Sequence, residues 1–219
     1  MKKFIIIFCL LIFSGTVFSQ QADYGFTIKG GANFPTGEFA NFYNAGFGAM
    51  GGLFYNINTT TRISFIVGYN SWALDLDALN EELHNVGNPG NYDIEAPISS
   101  IPILLNVKFF WRKNDKFHPY VVLEGGVYKT SKEVYGRYIS EDGESLKLNP
   151  TDVSTTDGSF NAGLGFEYPL NDVITFDVSA RYHWVMNEDV YNLGDIGYGT
   201  TYSTNNFISL YAGINVFFQ

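Results

Sequence analysis

From Val173 to Val185 the chain alternates with a period of two. Ile174, Phe176, Val178, Ala180, Tyr182 and Trp184 form one row, and Thr175, Asp177, Ser179, Arg181 and His183 form the other. The pattern recurs along the chain in the apolar rows Phe26 to Phe34, Phe47 to Tyr55, Ile63 to Tyr69, Ile101 to Trp111, Val121 to Val127, Phe160 to Tyr168 and Ile208 to Phe218. A repeat of two places alternate side chains on opposite faces, so the pattern predicts eight β-strands. The connections alternate too. Asn58 to Thr61, Arg112 to Lys116 and Asn171-Asp172 are short. Pro35 to Asn44, Leu74 to Pro97, Thr130 to Asp157 and Asn187 to Asn205 are long. An even strand count with short turns on one side and long loops on the other predicts an all-β fold. The architecture expected is an eight-stranded antiparallel up-and-down transmembrane β-barrel, as in outer membranes, with both chain ends on the periplasmic side.

A soluble barrel or a β-sandwich would also alternate, and three features separate the readings. The apolar rows end in amphipathic aromatics: Tyr55, Trp111 and Tyr168 near short turns, and Tyr69, Tyr182 and Trp184 near long loops. Those are the lipid-interface positions of a membrane barrel. The polar rows are rich in Gly, Ser, Asn and Tyr, as a narrow interior requires. Charge separates by place as well. Lys29, Lys108 and Arg181 balance Glu124, Glu167 and Asp177 on the polar rows. The long loops carry 16 acids, with Lys132, Arg137 and Lys147 as their bases. A balanced set suits a closed lumen, where an unpaired charge is costly. The row from Ile174 to Trp184 is therefore expected to face lipid, and Asp177, Arg181 and His183 the lumen. Eight strands enclose only enough space for side chains, so the charged set, with Tyr120 and Tyr211, is expected to plug the barrel rather than form a porin channel.

The N-terminus explains how such a chain reaches a membrane. Lys2-Lys3 followed by the ten apolar residues Phe4 to Phe13 and small residues at Val17 and Ser19 reads as a signal peptide over residues 1–19. The barrel domain is then residues 20–219, beginning at Gln20. Ten apolar residues are too few for a spanning helix. The single cysteine, Cys9, lies in this leader, so the mature domain holds no disulfide. Without Lys2 and Lys3, 11 bases face 22 acids, a mature net charge of −11. That balance disfavours nucleic acid as a partner.

Several stretches resemble the outer membrane protein β-barrel domain family, the PorT-like and OmpX-like small barrels of Gram-negative bacteria. They are the ending "YAGINVFF", the opening "YGFTIKGGANFPTG", and "SSIPILLNVKFFW" followed by "HPYVVLEGGVY". The resemblance covers nearly the whole mature chain and is more specific for fold than for function. Its members include secretion-machinery components and adhesion and defence barrels. It implies contact with outer-membrane lipid and lipopolysaccharide, and handling by the barrel-insertion machinery. Such barrels often end in an aromatic insertion signal. Here Phe218 takes that role and Gln219 follows it.

Catalytic and metal chemistry is poorly supported. His84, His118 and His183 show no metal-ligand spacing. Small barrels acting on lipid A carry a Ser-His-acid arrangement, whereas "RYHWV" has no serine two residues after His183. Glu124, Glu167 and Asp177 are better read as plug residues than as paired catalytic acids. No enzyme activity, cofactor or metal is expected. In "WALDLDALNEELHNV", Leu76, Leu79, Leu83 and Val86 recur at helical spacing behind Asp75 or Asp77 as a cap. This predicts a loop helix over the barrel mouth. The functional expectation is a structural and interaction barrel, an accessory of a secretion or surface system. It would engage an unknown protein partner through its long acidic loops. The alternative is a lipid-modifying or small-solute transport barrel.

Overall fold

The computed structural model describes residues 24–85, 91–111, 116–140, 142–147, 151–186, 190–191, 201–202 and 205–218. The signal peptide, Gln20, Val86, Glu141, Glu188, Asp189, Asp195 and Gln219 lie outside the described residues. Eight long strands form the wall: β1 (Tyr24–Pro35), β2 (Gly46–Asn56), β3 (Thr61–Trp72), β5 (Ile98–Phe110), β6 (His118–Ile139), β8 (Thr151–Pro169), β9 (Ile174–Met186) and β12 (Phe207–Phe217). Four short strands complete the set: β4 (Asn91–Glu95), β7 (Ser145–Lys147), β10 (Val190–Tyr191) and β11 (Thr201–Tyr202). Each wall strand pairs antiparallel with the next, and β12 returns to β1 in the register Ile28↔Ile214, which closes the barrel. Closure removes the sheet edge, so every wall peptide can be paired without water. Among the described residues no helix is long and apolar enough to cross a membrane; the crossing is made by strands.

Two short turns are set by asparagine. The Asn58 side chain accepts from Thr60 N at 2.8 Å, and the Asn171 side chain accepts from Val173 N at 2.8 Å and Ile174 N at 2.7 Å. Such a side-chain acceptor bends the chain within a few residues, which suits a tight turn.

The faces are inverted relative to a water-soluble protein. Ile28, Phe65, Leu105 and Leu164 are 54–61% exposed on the outside, while Lys29, Asn33, Asp177 and Ser209 are at most 3% exposed inside. Water would not support that arrangement, but acyl chains do: the outer row needs an apolar solvent and the inner row needs partners. Outward aromatics bracket the apolar band. Tyr55, Trp111 and Tyr168 stand exposed at the short-turn end, with Tyr24 opposite Tyr55. Tyr69, Tyr182 and Trp184 stand exposed at the other end, where the Phe47 and Tyr69 rings lie 6.2 Å apart. Phe218 folds back on the rim. Its amide donates to Tyr24 O at 3.0 Å, and its ring lies 5.6 Å from Tyr24 and 5.9 Å from Phe26.

One expectation is corrected. The segment Thr130 to Asp157, read from sequence as a loop, is mostly strand. β6 and β8 pair as far as Val134↔Thr151, well past the last β8–β9 pair at Gly158↔Met186. A membrane crossing needs about 9–11 residues. β6 has 22 and β8 has 19, so both run on beyond the band. The reason is physical: outside lipid the outward row need not be apolar. Lys129, Glu133 and Arg137 continue the alternation with charges and therefore resemble a loop.

Candidate functional site

The lumen is packed in three polar layers. Lowest, Asp177 gathers Lys29 at 2.7 Å, Lys108 in direct contact, the Tyr120 hydroxyl at 2.6 Å and the Asn215 amide at 3.2 Å. Lys108 reaches on to Glu167 at 2.7 Å, where Arg62 arrives at the same distance from the other side. Arg62 is clamped below by aromatic rings: its guanidinium lies 4.3 Å from the Phe54 centroid and 5.3 Å from that of Phe217. In the middle layer Arg181 contacts Glu124, which also accepts from Asn106 at 2.7 Å and Asn161 at 3.2 Å. Above it Asn33, Asn70, Ser209 and Tyr211 share one cluster. Asn33 accepts from Ser209 at 2.6 Å and donates to Asn70 at 2.9 Å, and the Tyr211 hydroxyl lies 3.2 Å from both asparagine oxygens.

All six charged residues expected inside are placed there. A seventh, Arg62, is added. The apolar row of that strand starts at Ile63, but the parity of Arg62, Ser64 and Ile66 continues the polar row one residue earlier. The balance of three against three is corrected accordingly: four bases face three acids among the described lumen residues. Tyr128 is a second addition. Its hydroxyl meets His183 Nδ1 at 2.7 Å, and the imidazole stacks on Phe207 with centroids 4.2 Å apart. His183 is therefore held in the lumen, fully buried, beneath the mouth.

Close packing of this kind needs gaps in the wall. At Gly165 a Cβ would lie 2.5 Å from the Tyr120 ring and 2.6 Å from Val178 O. The missing side chain is what admits the Tyr120 ring, whose hydroxyl then reaches Asp177.

The outer mouth is closed by apolar residues. Phe39, Tyr43, Trp72, Ile98, Tyr128, Val185 and Phe207 form one buried cluster. Phe39 comes from the 3-10 turn Gly37–Asn41 in the first outer connection. That connection is stitched to the second by Asn44 N→Ala73 O at 3.1 Å and Asp75 N→Phe42 O at 2.7 Å. The expected loop helix is α1 (Leu76–Asn85). Asp75 caps it by accepting from Ala78 N at 3.1 Å. Leu79 and Leu83 pack on Tyr92 and Ile94 of β4, with Phe42 and Leu74 touching both this cluster and the mouth. Asn80 completes the edge of β4 by accepting from Tyr92 N at 2.8 Å and donating to Tyr92 O at 3.0 Å.

Beyond the mouth, β4 and β7 flank the upper half of β6. Gly136 sits there at φ 149°, where a Cβ would lie 2.3 Å from Asp93 O, so a side chain is excluded. One face of this sheet is apolar and packs on α1. The other is charged: Asp93, Glu95, Tyr135, Arg137, Ser145 and Lys147 line an open cleft of about 400 Å³. Arg137 pairs with Asp93 at 2.7 Å, and the Tyr135 hydroxyl donates to Glu95 at 2.6 Å. Among the described residues no three His, Cys, Asp or Glu side chains converge as a metal site.

A family model described as "Outer membrane protein beta-barrel domain" matches residues 5–208. The fold is similar to that of Neisserial surface protein A, at 15% identity and a TM-score of 0.51, covering 89% of this chain and 97% of that one. It is similar to the same degree to a major outer membrane protein from Thermus thermophilus, at 14% identity and a TM-score of 0.51, covering 89% and 99%. Both likenesses concern the fold alone. No curated protein sequence matches the chain.

Proposed function

Since the chain belongs to the outer membrane protein beta-barrel domain family and is a multi-pass barrel of the outer membrane, we propose that it acts as a closed barrel presenting a binding platform above the membrane. The observation that carries this reading is the ordered structure beyond the aromatic band. A purely solvating loop has no need of the buried Leu79, Leu83, Tyr92 and Ile94, nor of strands that outrun the bilayer. Function has room there and little elsewhere. The wall is occupied by lipid contact, and the lumen by ion pairs under an aromatic lid.

The platform is acidic. Asp77, Glu81 and Glu82 on α1 join Asp93, Glu95, Glu133 and Asp152 on the sheet, against Lys129, Lys132, Arg137 and Lys147. The partner proposed is a basic protein face, as an accessory of a secretion or surface system would meet. Catalysis is not part of the proposal. A lipid-modifying barrel would need its base on or near the outer wall, and His183 lies fully buried among Tyr128, Phe207 and Tyr211.

Joining Lys129 to Thr156, which are paired in β6 and β8, through a four-residue turn removes the platform's central strands. Loop closure itself costs little, so the shortened barrel is expected to fold and to retain its heat-modifiable gel mobility. It is expected to fail to complement a deletion strain and to lose partners crosslinked through the outer side. Full complementation would end the proposal. Capture that depends on divalent cations and survives protease would point instead to a cation-bridged polysaccharide.

A plugged lumen makes a second expectation. In planar bilayers the purified barrel should show no stable large-conductance channel. Long-lived openings would return the transport alternative.

A further inference from the structure

We infer that the lower lumen is a binding site for a monatomic anion, a halide, held between Lys29, Arg62, Lys108 and Arg181. Three observations converge on it. First, a small void of about 10 Å³ lies among the polar layers, lined by Thr27, Lys29, Ser64, Asn106 and Asn215 together with Arg62, Lys108 and Arg181. No carboxylate lines it. Second, the fully buried part of the described lumen holds four bases against Glu124, Glu167 and Asp177, every one of them at most 3% exposed. A proton on His183 would only widen that excess. Third, the polar groups around the void are incompletely used. Thr27 Oγ1 has no hydrogen-bond partner, and Lys29 Nζ approaches Asp177 at 2.7 Å without an aligned hydrogen bond.

An uncompensated charge enclosed by protein and lipid is costly, and the cost falls when a counter-charge enters with it. The size of the void selects the class. It admits about one water-sized particle, so carboxylate, phosphate and sulfate are too large. A halide is slightly larger than water, and the long lysine and arginine side chains can yield by the few tenths of an ångström required. Thr27 supplies a hydroxyl donor, Lys29 an ammonium, and the guanidinium groups of Arg62 and Arg181 add positive field. Water is the rival occupant, because it would donate to Asn106 Oδ1 and Asn215 Oδ1, both without partners. Water leaves the charge excess in place. Loss of the Lys29 proton is the other way to meet the excess; the lining, whose polar groups are donors apart from the Asn106 and Asn215 oxygens, favours the anion, and a neutral Lys29 would leave no bromide peak.

The test uses the whole folded barrel. Crystals grown in sodium bromide are examined at the bromine absorption edge, and thermal unfolding is followed in sodium chloride and in sodium gluconate at equal ionic strength. The expected result is an anomalous peak within contact distance of Lys29 Nζ. Tm should be higher in chloride than in gluconate by at least ~2 °C, the scale of a ligand that binds only the folded state. Lys29→Met removes both a ligand and the charge excess, so it should abolish the peak and make Tm indifferent to the anion. Should that variant not fold, Thr27→Val removes a donor alone and should weaken the chloride effect. The inference is overturned by density without anomalous signal, which is water. It is equally overturned by equal Tm in the two salts, or by a bromide peak that leaves Tm unchanged.

Discussion

Replacing Asp177 by Asn is expected to destabilise the folded barrel by about 3–5 kcal/mol, the range for breaking a buried ion pair by removing one partner. Asp177 is the anion on which the lower layer converges. It meets Lys29, Lys108, Tyr120 and Asn215, and it is fully buried. Asparagine keeps the shape and removes the charge. Lys108 still has Glu167 at 2.7 Å, whereas Lys29 loses its only ion-pair partner among the described residues. Urea unfolding in detergent micelles or lipid, read by tryptophan fluorescence, measures the loss as a lower midpoint at unchanged slope. Adding Lys29→Met should recover more than half of it, because the double variant no longer buries an unpaired ammonium. By contrast Arg137→Ala breaks the Asp93–Arg137 pair, whose side chains are over half exposed, and should cost no more than about 1 kcal/mol. A cost below that value for Asp177→Asn would show that the network does not hold the barrel together.

Val178→Arg is expected to cost about 2 kcal/mol, as for a charge on the lipid face within the apolar band. Val178 lies opposite Phe166 on one side and Ala212 on the other. It is the first outward residue past Phe176, the register partner of Tyr168, and lies inside the apolar band that ends at Trp184, so an arginine there must snorkel or thin the bilayer. Its neighbour Ser179 points inward, 2% exposed, and accepts from Arg181 Nε at 3.3 Å. Ser179→Ala should cost about 0.5–1.5 kcal/mol, the net worth of one hydrogen bond. Ser179→Leu should cost about 1–3 kcal/mol by overpacking beside Tyr211. The order of the three variants is the test. Tolerance of arginine at 178 together with a preference for leucine at 179 would mean that the faces are inverted.

The wall was legible in the sequence because lipid makes its demands locally. Every outward residue meets the same apolar solvent, so Ile174, Phe176, Val178 and Ala180 declare the face without knowledge of their neighbours. The same holds for the aromatic ends of the rows, for the tight turns at Asn58 and Asn171, and for α1, whose leucines repeat at helical spacing behind the Asp75 cap. Six of the lumen charges were legible from parity alone. The platform was not. Outside the membrane the outward row loses its apolar requirement, and Glu133, Arg137 and Asp152 disguise strands as loop. Which acid meets which base was not legible either. Asp177 and Lys108 are 69 residues apart, and only barrel closure and strand register bring them to one layer. The one-residue strand boundary that hid Arg62 has the same origin: its place is set by Glu167, Phe54 and Phe217, from three other strands. Local alternation in an apolar solvent thus determined the fold, the faces and the membrane. Long-range pairing, which no window of sequence contains, decided the layered lumen, the excess of bases over acids among its described buried residues, the closed mouth and the sheet that stands above it.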